Sequence, residues 1–575
     1  MTFTATVAAG GEAVTDLGRF LDQRPDRDRL TSVAHEGLAV AWAADNRFVS
    51  SCDDGDVLVV LDGLLHNLFD AGRSQASLLL ERYRGRGDDV ARDLLGDFVA
   101  IVLDRTRGRL LVCRDPLGVR PWFQSTRGRR HSGATEEATL CSLPWVDDGV
   151  DEAMALAYLA TASESRGPTL HRGIVTLAPG STWTWADGRV SVRKHHSWEI
   201  RPEPRVSWHE AVERARDVVT AAVRDRLQAA GSASSDLSGG LDSSAVVGTA
   251  VLLGEPPLAG RLLFQGRSAD ERNFSDDVVR HWGVECLSVA PWIPTEEESG
   301  AWIAELQRPL PDGNYTMFLS LHRAFVEAGR PVGLTGLGGD DAFVAMPRES
   351  RIASAVQQRR GDVLRPLLRT TLRSPARAWR ETWRPTLRYL SPRGIPRYPA
   401  YIAGEAAVEH HLADHFRRQV RLTGVDAIDQ RADNLTSGHM TFNLELAALV
   451  GDAAGRRSSH PFLDPRVVTA VYGLDPWFPL RGGHYRALQA AAFADRVPPS
   501  VRDRRTKAEF SEVIWPQGLN EEAVGRITTG PLVQRRWLDL DQFGNILNGA
   551  REGQAWAARP LSRAVELDRW LRQRR

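Results

Sequence analysis

The run Ser238-Gly239-Gly240-Leu241-Asp242-Ser243-Ser244 constrains this chain more than any other segment. It stands between a short apolar approach and the apolar stretch AVVGTAVLL, and reads as a tight turn leading into a buried helix. Two consecutive glycines permit a close backbone approach that side chains would forbid. The serines add hydroxyls to the free N–H groups of a helix start, so the turn can form an anion nest. Asp242 would repel a bare phosphate, yet it suits a magnesium ion carried by one. An ordinary glycine turn closed by a serine cap is the competing reading of the same residues. No GxxxxGK(S/T) run is present, so the loop is not of the Walker type.

What surrounds this loop sets the fold class. WHEAVERARDVVTAAVRDRLQAA precedes it as an amphipathic helix; RLLFQG, DERNFSDDVVRHWG, CLSVA, YTMFLSLHRAFVEAG and PVGLTGLGGDD then alternate strand with helix. Such alternation predicts a parallel sheet. Residues 1 to about 125 read as packed strands, because DVLVVLDGLL, GDFVAIVLD and RLLVCRD are short apolar runs broken by Asp and Gly. GRGDD (85–89) and RTRG (105–108) are turn candidates, and EAMALAYLATA is a helix. TLAPGSTWTWADGRV reads as a hairpin turning at Ala186-Asp187-Gly188. Helices dominate from about 350 onward.

With 575 residues, 42% hydrophobic and 25% charged, the chain has room for two or three domains with full cores. Lys+Arg and Asp+Glu are both 73, and this balance argues against DNA as a partner. Only two of the basic residues, Lys194 and Lys507, are lysines. The zero net charge hides separated fields: residues 351–400 hold twelve arginines against two acids, and 51–100 hold ten acids against five arginines. A solvated helical surface or a face for an acidic peptide, a protein or RNA would each account for the basic segment. Cys52, Cys113, Cys141 and Cys286 form no CxxC pair, which fits a reducing compartment. Neither a signal peptide nor a membrane-length apolar run is present, so a cytoplasmic location without membrane insertion is expected.

SGGLDSS resembles the pyrophosphate-binding loop of the asparagine synthetase class of ATP pyrophosphatases. Leu334-Thr335-Gly336-Leu337-Gly338-Gly339-Asp340-Asp341 resembles that family's second segment, and Arg504-Arg505-Thr506-Lys507 its basic segment. The resemblance implies ATP and Mg²⁺, with Asp242 and Asp340 as metal ligands and Lys507 acting with them in catalysis. Arg504 and Arg505 would assist. It implies nucleotide contacts from Leu237, Ser238, Gly239, Gly240, Asp242, Ser243, Ser244, Phe264, Gln265, Gly336, Gly338 and Lys507. His460-Pro461-Phe462-Leu463-Asp464 resembles the PFLD segment that shapes the pocket floor.

LDGLLHN (61–67), GDFVAIVLD (96–104) and CRDPLGVRPWF (113–123) resemble glutamine amidotransferases of the N-terminal-nucleophile type. The implied architecture is α/β. An amidotransferase-like α+β sandwich (1–200) precedes a PP-loop ATP pyrophosphatase domain with a parallel sheet and helical insertions (201–575), including an Arg-rich region at about 350–440.

Enzymes of the amidotransferase type use a cysteine after the initiator methionine, and position 2 here is Thr2. The expectation drawn from it is an inactive sandwich and a ligase that does not hydrolyse glutamine. That pattern, with Leu337 in place of a charged or tyrosine side chain, resembles lasso peptide cyclases more than β-lactam synthetases. This resemblance implies macrolactam formation on a leader-free core peptide, with a leader peptidase and a leader-recognition protein as partners. The alternative is an ATP-dependent amide or β-lactam synthetase acting on a small-molecule carboxylate.

Overall fold

Short apolar strands account for the first two hundred residues. In the computed structural model they are β1 (Ala5–Ala9), β2 (Leu30–His35), β3 (Leu38–Ala43), β4 (Val49–Asp53), β5 (Val57–Leu65) and β6 (Gly96–Asp104). They continue as β7 (Arg109–Arg114), β8 (Phe123–Arg127), β9 (Arg130–Ala134), β10 (Val175–Thr176), β11 (Ser181–Ala186) and β12 (Arg189–Lys194). The structure describes the chain outside residues 1–4, 25, 161–166, 199, 202, 204, 265–269, 311–312, 345–351, scattered positions from 353 to 398, 411–437, 484–485, 505–520, 553 and 575.

These strands form two six-stranded sheets, ordered β10-β8-β9-β1-β3-β2 and β12-β11-β7-β6-β5-β4. Side chains alternate across a strand, so β5 sends Leu58 and Val60 into the core between the sheets. Its Val57, Val59 and Leu61 face the other way, onto helix α2 (Gln75–Arg86). Both faces of β5 are therefore covered, which explains why DVLVVLDGLL is a continuous apolar run rather than an alternating one. Helices α1 (Gly11–Asp22) and α3 (Glu137–Cys141) cover the other sheet through Leu17 and Leu140, completing an α+β sandwich. The expected hairpin is β11–β12. Asp187 and Gly188 take φ of 51° and 73°, the two positive angles that a two-residue hairpin turn requires.

After α4 (Glu152–Leu159) and α5 (Trp208–Ala230) comes a five-stranded sheet. Its strands are β13 (Ala233–Asp236), β14 (Leu258–Leu262), β15 (Cys286–Val289), β16 (Val332–Leu334) and β17 (Arg457–Ser459). All pairs are parallel and the order is β15-β14-β13-β16-β17. Helix α6 (Leu241–Leu252) follows β13, and its Ala245, Val246, Val247 and Ala250 are fully buried. A helix apolar on every side belongs inside a core, so AVVGTAVLL needs no amphipathic pattern. β14 lies earlier than RLLFQG suggests, because parallel pairing with β13 sets Ser234 opposite Leu258.

The strand order reverses at β13, between β14 and β16. In open parallel sheets such a reversal opens a crevice beyond the carboxyl ends of the strands, where ligands bind. SGGLDSS leaves the end of β13 and TGLGGDD the end of β16, so both motifs meet at this crevice. Among the described residues, no helix is long and apolar enough to cross a membrane.

Candidate active site

Gly239 turns the chain out of β13 with φ of +80°. A Cβ there would lie 2.9 Å from the Phe274 Cβ and the Ser275 nitrogen, so both the angle and the space demand glycine. Gly240 caps α6, and the hydroxyls of Ser238 and Ser243 lie 3.1 Å apart. The Ser238 N–H donates to the Ser243 hydroxyl at 3.2 Å, and the Gly240 N–H to the Ser238 hydroxyl at 3.3 Å. Ser244 is buried one residue further on, and its hydroxyl has no hydrogen-bond partner among the described residues. The loop is thus braced by its own hydroxyls at the start of a helix.

The second motif presses against the first. A Cβ on Gly336 would lie 2.5 Å from the Ser243 nitrogen, and one on Gly339 would lie 2.3 Å from the Asp242 Oδ1. Gly338, at φ of +88°, caps the short helix Gly339–Phe343 that carries Asp340. Asp242 and Asp340 come so close that one guanidinium serves both: Arg486 donates to the Asp242 Oδ2 at 3.2 Å and pairs with Asp340. The Gln489 amide donates to the other oxygen of Asp242. Gly339→Ala is expected to push Asp242 off these partners and to cut any ATP-dependent turnover at least tenfold, with the fold retained. Parental turnover in that variant contradicts the tight packing of the two loops.

Arg486 and Gln489 are site residues that sequence reasoning missed. Their signal is faint, two polar residues three apart beside an alanine-rich helix (Ala487–Ala492), which puts them on one face. Leu237 is buried, and its N–H donates to the Gly260 carbonyl at 2.7 Å, anchoring the loop to β14. Phe264 is buried against Met317 beyond the end of β14. Gln265, Arg505 and Lys507 lie outside the described residues.

Arg504 is described. Its guanidinium stacks 4.1 Å from the Phe274 ring centroid and pairs with Glu271, the residues that also crowd Gly239. The segment leading to Lys507 therefore starts at the edge of the glycine turn.

His460 lies behind the second motif. Its Nδ1 and the Thr335 hydroxyl are 2.7 Å apart, and that hydroxyl accepts the Leu337 N–H at 3.2 Å. Burial, with Arg226 and Arg456 nearby, pushes its imidazole down to about 3, so it is neutral at physiological pH. Leu337 packs into an apolar cluster with Leu117, Val119, Leu463 and Tyr472, which joins the sandwich to the parallel-sheet unit.

The amidotransferase-like motifs also converge on this junction. Asp115 accepts three backbone N–H groups, from Leu117, Val119 and Arg120, and holds the RDPLGVRP turn. Arg120 pairs with Asp62 and with Asp452, each at 2.9 Å. Arg457 pairs with the same two carboxylates, at 2.6 Å from Asp62. Two arginines and two aspartates, all nearly buried, thus close a neutral ring between the units.

Beside the ring, the Ser459 hydroxyl donates to Asp97 at 2.5 Å. Burial raises the Asp97 carboxyl to about 6, against the opposing influence of Arg226 and Ser459. Its ordinary value is 3.8, so between about pH 4 and 6 the folded protein holds a proton that the unfolded chain has released. Stability from this group is full below the lower value and falls as pH rises to the upper one. Asp97→Asn keeps an acceptor for Ser459 and is expected to flatten that decline in urea titrations from about pH 4 to 6. An unchanged slope contradicts the assignment.

The motif resemblance implies magnesium at the carboxylate pair. Mg²⁺ is commonly held by one or two carboxylates together with substrate phosphates and water. Two aspartates near enough to share Arg486, next to a turn rich in N–H and hydroxyl groups, fit that requirement. Two carboxylates beside a phosphate-binding type of turn fit a cation that is carried by phosphates.

Residues 214–572 match the family described as asparagine synthase, and residues 64–198 match the glutamine amidotransferase domain. The glutamine-hydrolyzing asparagine synthetase 3 of Bacillus subtilis (strain 168) is 25% identical over 281 residues, 46% of this chain and 45% of that protein. Asparagine synthetase 1 of the same organism, also named as glutamine-hydrolyzing, is 24% identical over 363 residues, 59% of this chain and 56% of that protein. Amidase chry2 of Gibberella zeae is 24% identical over 296 residues, covering 47% and 43%. The chain spans about half the length of the curated relatives it matches.

One expectation is overturned. The reading of an inactive sandwich and a ligase that does not hydrolyse glutamine rested on Thr2 alone, and residues 1–4 lie outside the described structure. The match of residues 64–198 to the glutamine amidotransferase domain and the glutamine-hydrolyzing relatives stand against it.

Proposed function

Because this chain belongs to the asparagine synthase family, we propose that it is an ATP-dependent amide ligase acting on a small-molecule carboxylate, with glutamine as the nitrogen donor. The observation that carries the proposal is the pairing of Asp242 and Asp340 through Arg486 beside the glycine turn. Two carboxylates and a cation at the switch point of a parallel sheet form a site for a polyphosphate with its metal. The small-carboxylate substrate has better support than a core peptide, since the relatives include asparagine synthetases and amidases.

In the proposed reaction a substrate carboxylate oxygen attacks the α-phosphorus of ATP. The Pα–O–Pβ bond breaks and pyrophosphate leaves. Ammonia then attacks the acyl carbon of the acyl-adenylate, gives up a proton, and AMP leaves with the C–O bond electrons. Mg²⁺, when bound, would neutralise charge on the departing pyrophosphate.

The chain's own part is positioning. Asp242 and Asp340 would hold the cation, while the N–H groups and hydroxyls of Ser238–Ser244 receive phosphate oxygens. Arg486, beside both aspartates, would offer its guanidinium to pyrophosphate oxygens. Lys507 would bring a point charge to the α-phosphate. The amidotransferase sandwich would release ammonia from glutamine.

The proposal is tested by incubating the protein with ATP, Mg²⁺, a panel of small carboxylates and glutamine labelled with ¹⁵N in its amide. Equimolar AMP, pyrophosphate and ¹⁵N-labelled amide are expected. ADP and phosphate in their place, or label from added ammonium but none from glutamine, would contradict it.

A further inference from the structure

From Leu364-Arg365 to Leu387-Arg388, an apolar residue followed by arginine recurs seven times at spacings of three or four. In the sequence this is the period of a helix face. The described residues divide into two groups. Leu364 and Trp383 pack on Ile352, Ala355 and Trp477, with the Arg360 guanidinium 5.2 Å from the Trp477 ring centroid. Leu368, Leu372, Trp379 and Leu387 stand 49, 80, 56 and 46% exposed. Arg365 and Arg369 are exposed in the same stretch. The segment is anchored at Leu364 and Trp383 and offers bulky apolar groups to water between and beyond these two points.

We propose that this face docks on an anionic phospholipid surface. A segment lying in a membrane interface joins Trp and Leu, which enter the headgroup–acyl boundary, to a flank of basic side chains. Twelve arginines against one Asp and one Glu in residues 351–400 complement a negative headgroup layer. Between Val363 and Arg380 the polar side chains are only Arg, Ser and Thr, with no acid and no amide. That composition suits many equivalent phosphates better than one shaped partner.

The leucines separate the candidate occupants. RNA would engage the arginines and the tryptophan, leaving Leu368, Leu372 and Leu387 in water without gain. A bilayer takes the leucines and the arginines together. Docking here requires no membrane-spanning helix.

The test uses the full chain in co-sedimentation with vesicles of phosphatidylcholine containing about one-third phosphatidylglycerol, against pure phosphatidylcholine. Binding to the anionic vesicles alone, weakened by salt, is expected. Arg365→Gln with Arg369→Gln should lower partitioning by roughly twentyfold or more, at about fivefold per charge. Leu372→Ser with Trp379→Ser should lower it at least tenfold. Both pairs should retain the parental melting temperature and ATP-dependent turnover, because these side chains are exposed and outside the active-site crevice. No sedimentation with the anionic vesicles overturns the proposal. So does equal sedimentation with both vesicle types, or retention of a short RNA or an acidic protein without vesicle binding.

Discussion

Asp340→Asn should lower carboxylate-dependent pyrophosphate release by about a thousandfold and leave the melting temperature nearly unchanged. The reason is geometric. Asp340 shares Arg486 with Asp242 at the carboxyl ends of β13 and β16, and the exchange removes one negative charge from the pair without changing its size. Asp242 and Asp340 would hold the cation together, so the exchange would remove half of the carboxylate charge available to it. Asp340 is partly exposed, so its contribution to folding is small. Asp242→Asn should behave in the same way, and so should Lys507→Ala, which removes the proposed ammonium at the α-phosphate. Near-parental turnover in either aspartate variant would remove the metal role assigned to it.

The second large effect is on stability. Asp62→Ala should destabilise the protein by about 3–5 kcal/mol in denaturant titration, because it leaves Arg120 and Arg457 to share Asp452 in a buried junction. The double change Asp62→Leu and Arg457→Met should recover more than half of that loss. It restores neutrality and leaves Arg120 paired with Asp452. The penalty belongs to the uncompensated charge, not to the loss of the ring as such. A loss below about 1 kcal/mol for Asp62→Ala would show the ring to be well hydrated in solution. Asp62 lies in the sandwich and Asp452 on the helix Gly438–Ala454 that leads into β17, so the same variant should loosen the units from each other and raise proteolysis between them.

The nucleotide-type loops were legible in the sequence because their causes are local. Gly239 is required by its own φ and by the crowding of Phe274, and the apolar run after Gly240 can only be a buried helix. That the two loops meet was also legible, since alternating strands and helices imply a parallel sheet and ligands gather at the ends of its strands. Arg486 and Gln489 were not. They touch Asp242 from 244 and 247 residues away, and nothing in their neighbourhood marks them except two polar side chains beside an alanine helix.

The junction ring was hidden for the same reason, as Asp62 and Arg457 are 395 positions apart. The strand character of DVLVVLDGLL was clear, but its burial on both faces required knowledge of α2. Reading glutamine hydrolysis from Thr2 failed differently. It made one position decide against motifs at 61–67, 96–104 and 113–123 that fold into the expected sandwich.

The central claim is that this crevice transfers AMP to a carboxylate. The most direct measurement uses a substrate carboxylate labelled in both oxygens with ¹⁸O, incubated with ATP, Mg²⁺ and glutamine, followed by mass spectrometry of the products. Adenylation followed by amide formation predicts one ¹⁸O in AMP, one in the amide, and none in pyrophosphate. An ¹⁸O atom in inorganic phosphate with ADP formed, or amide without label in AMP, would contradict the account.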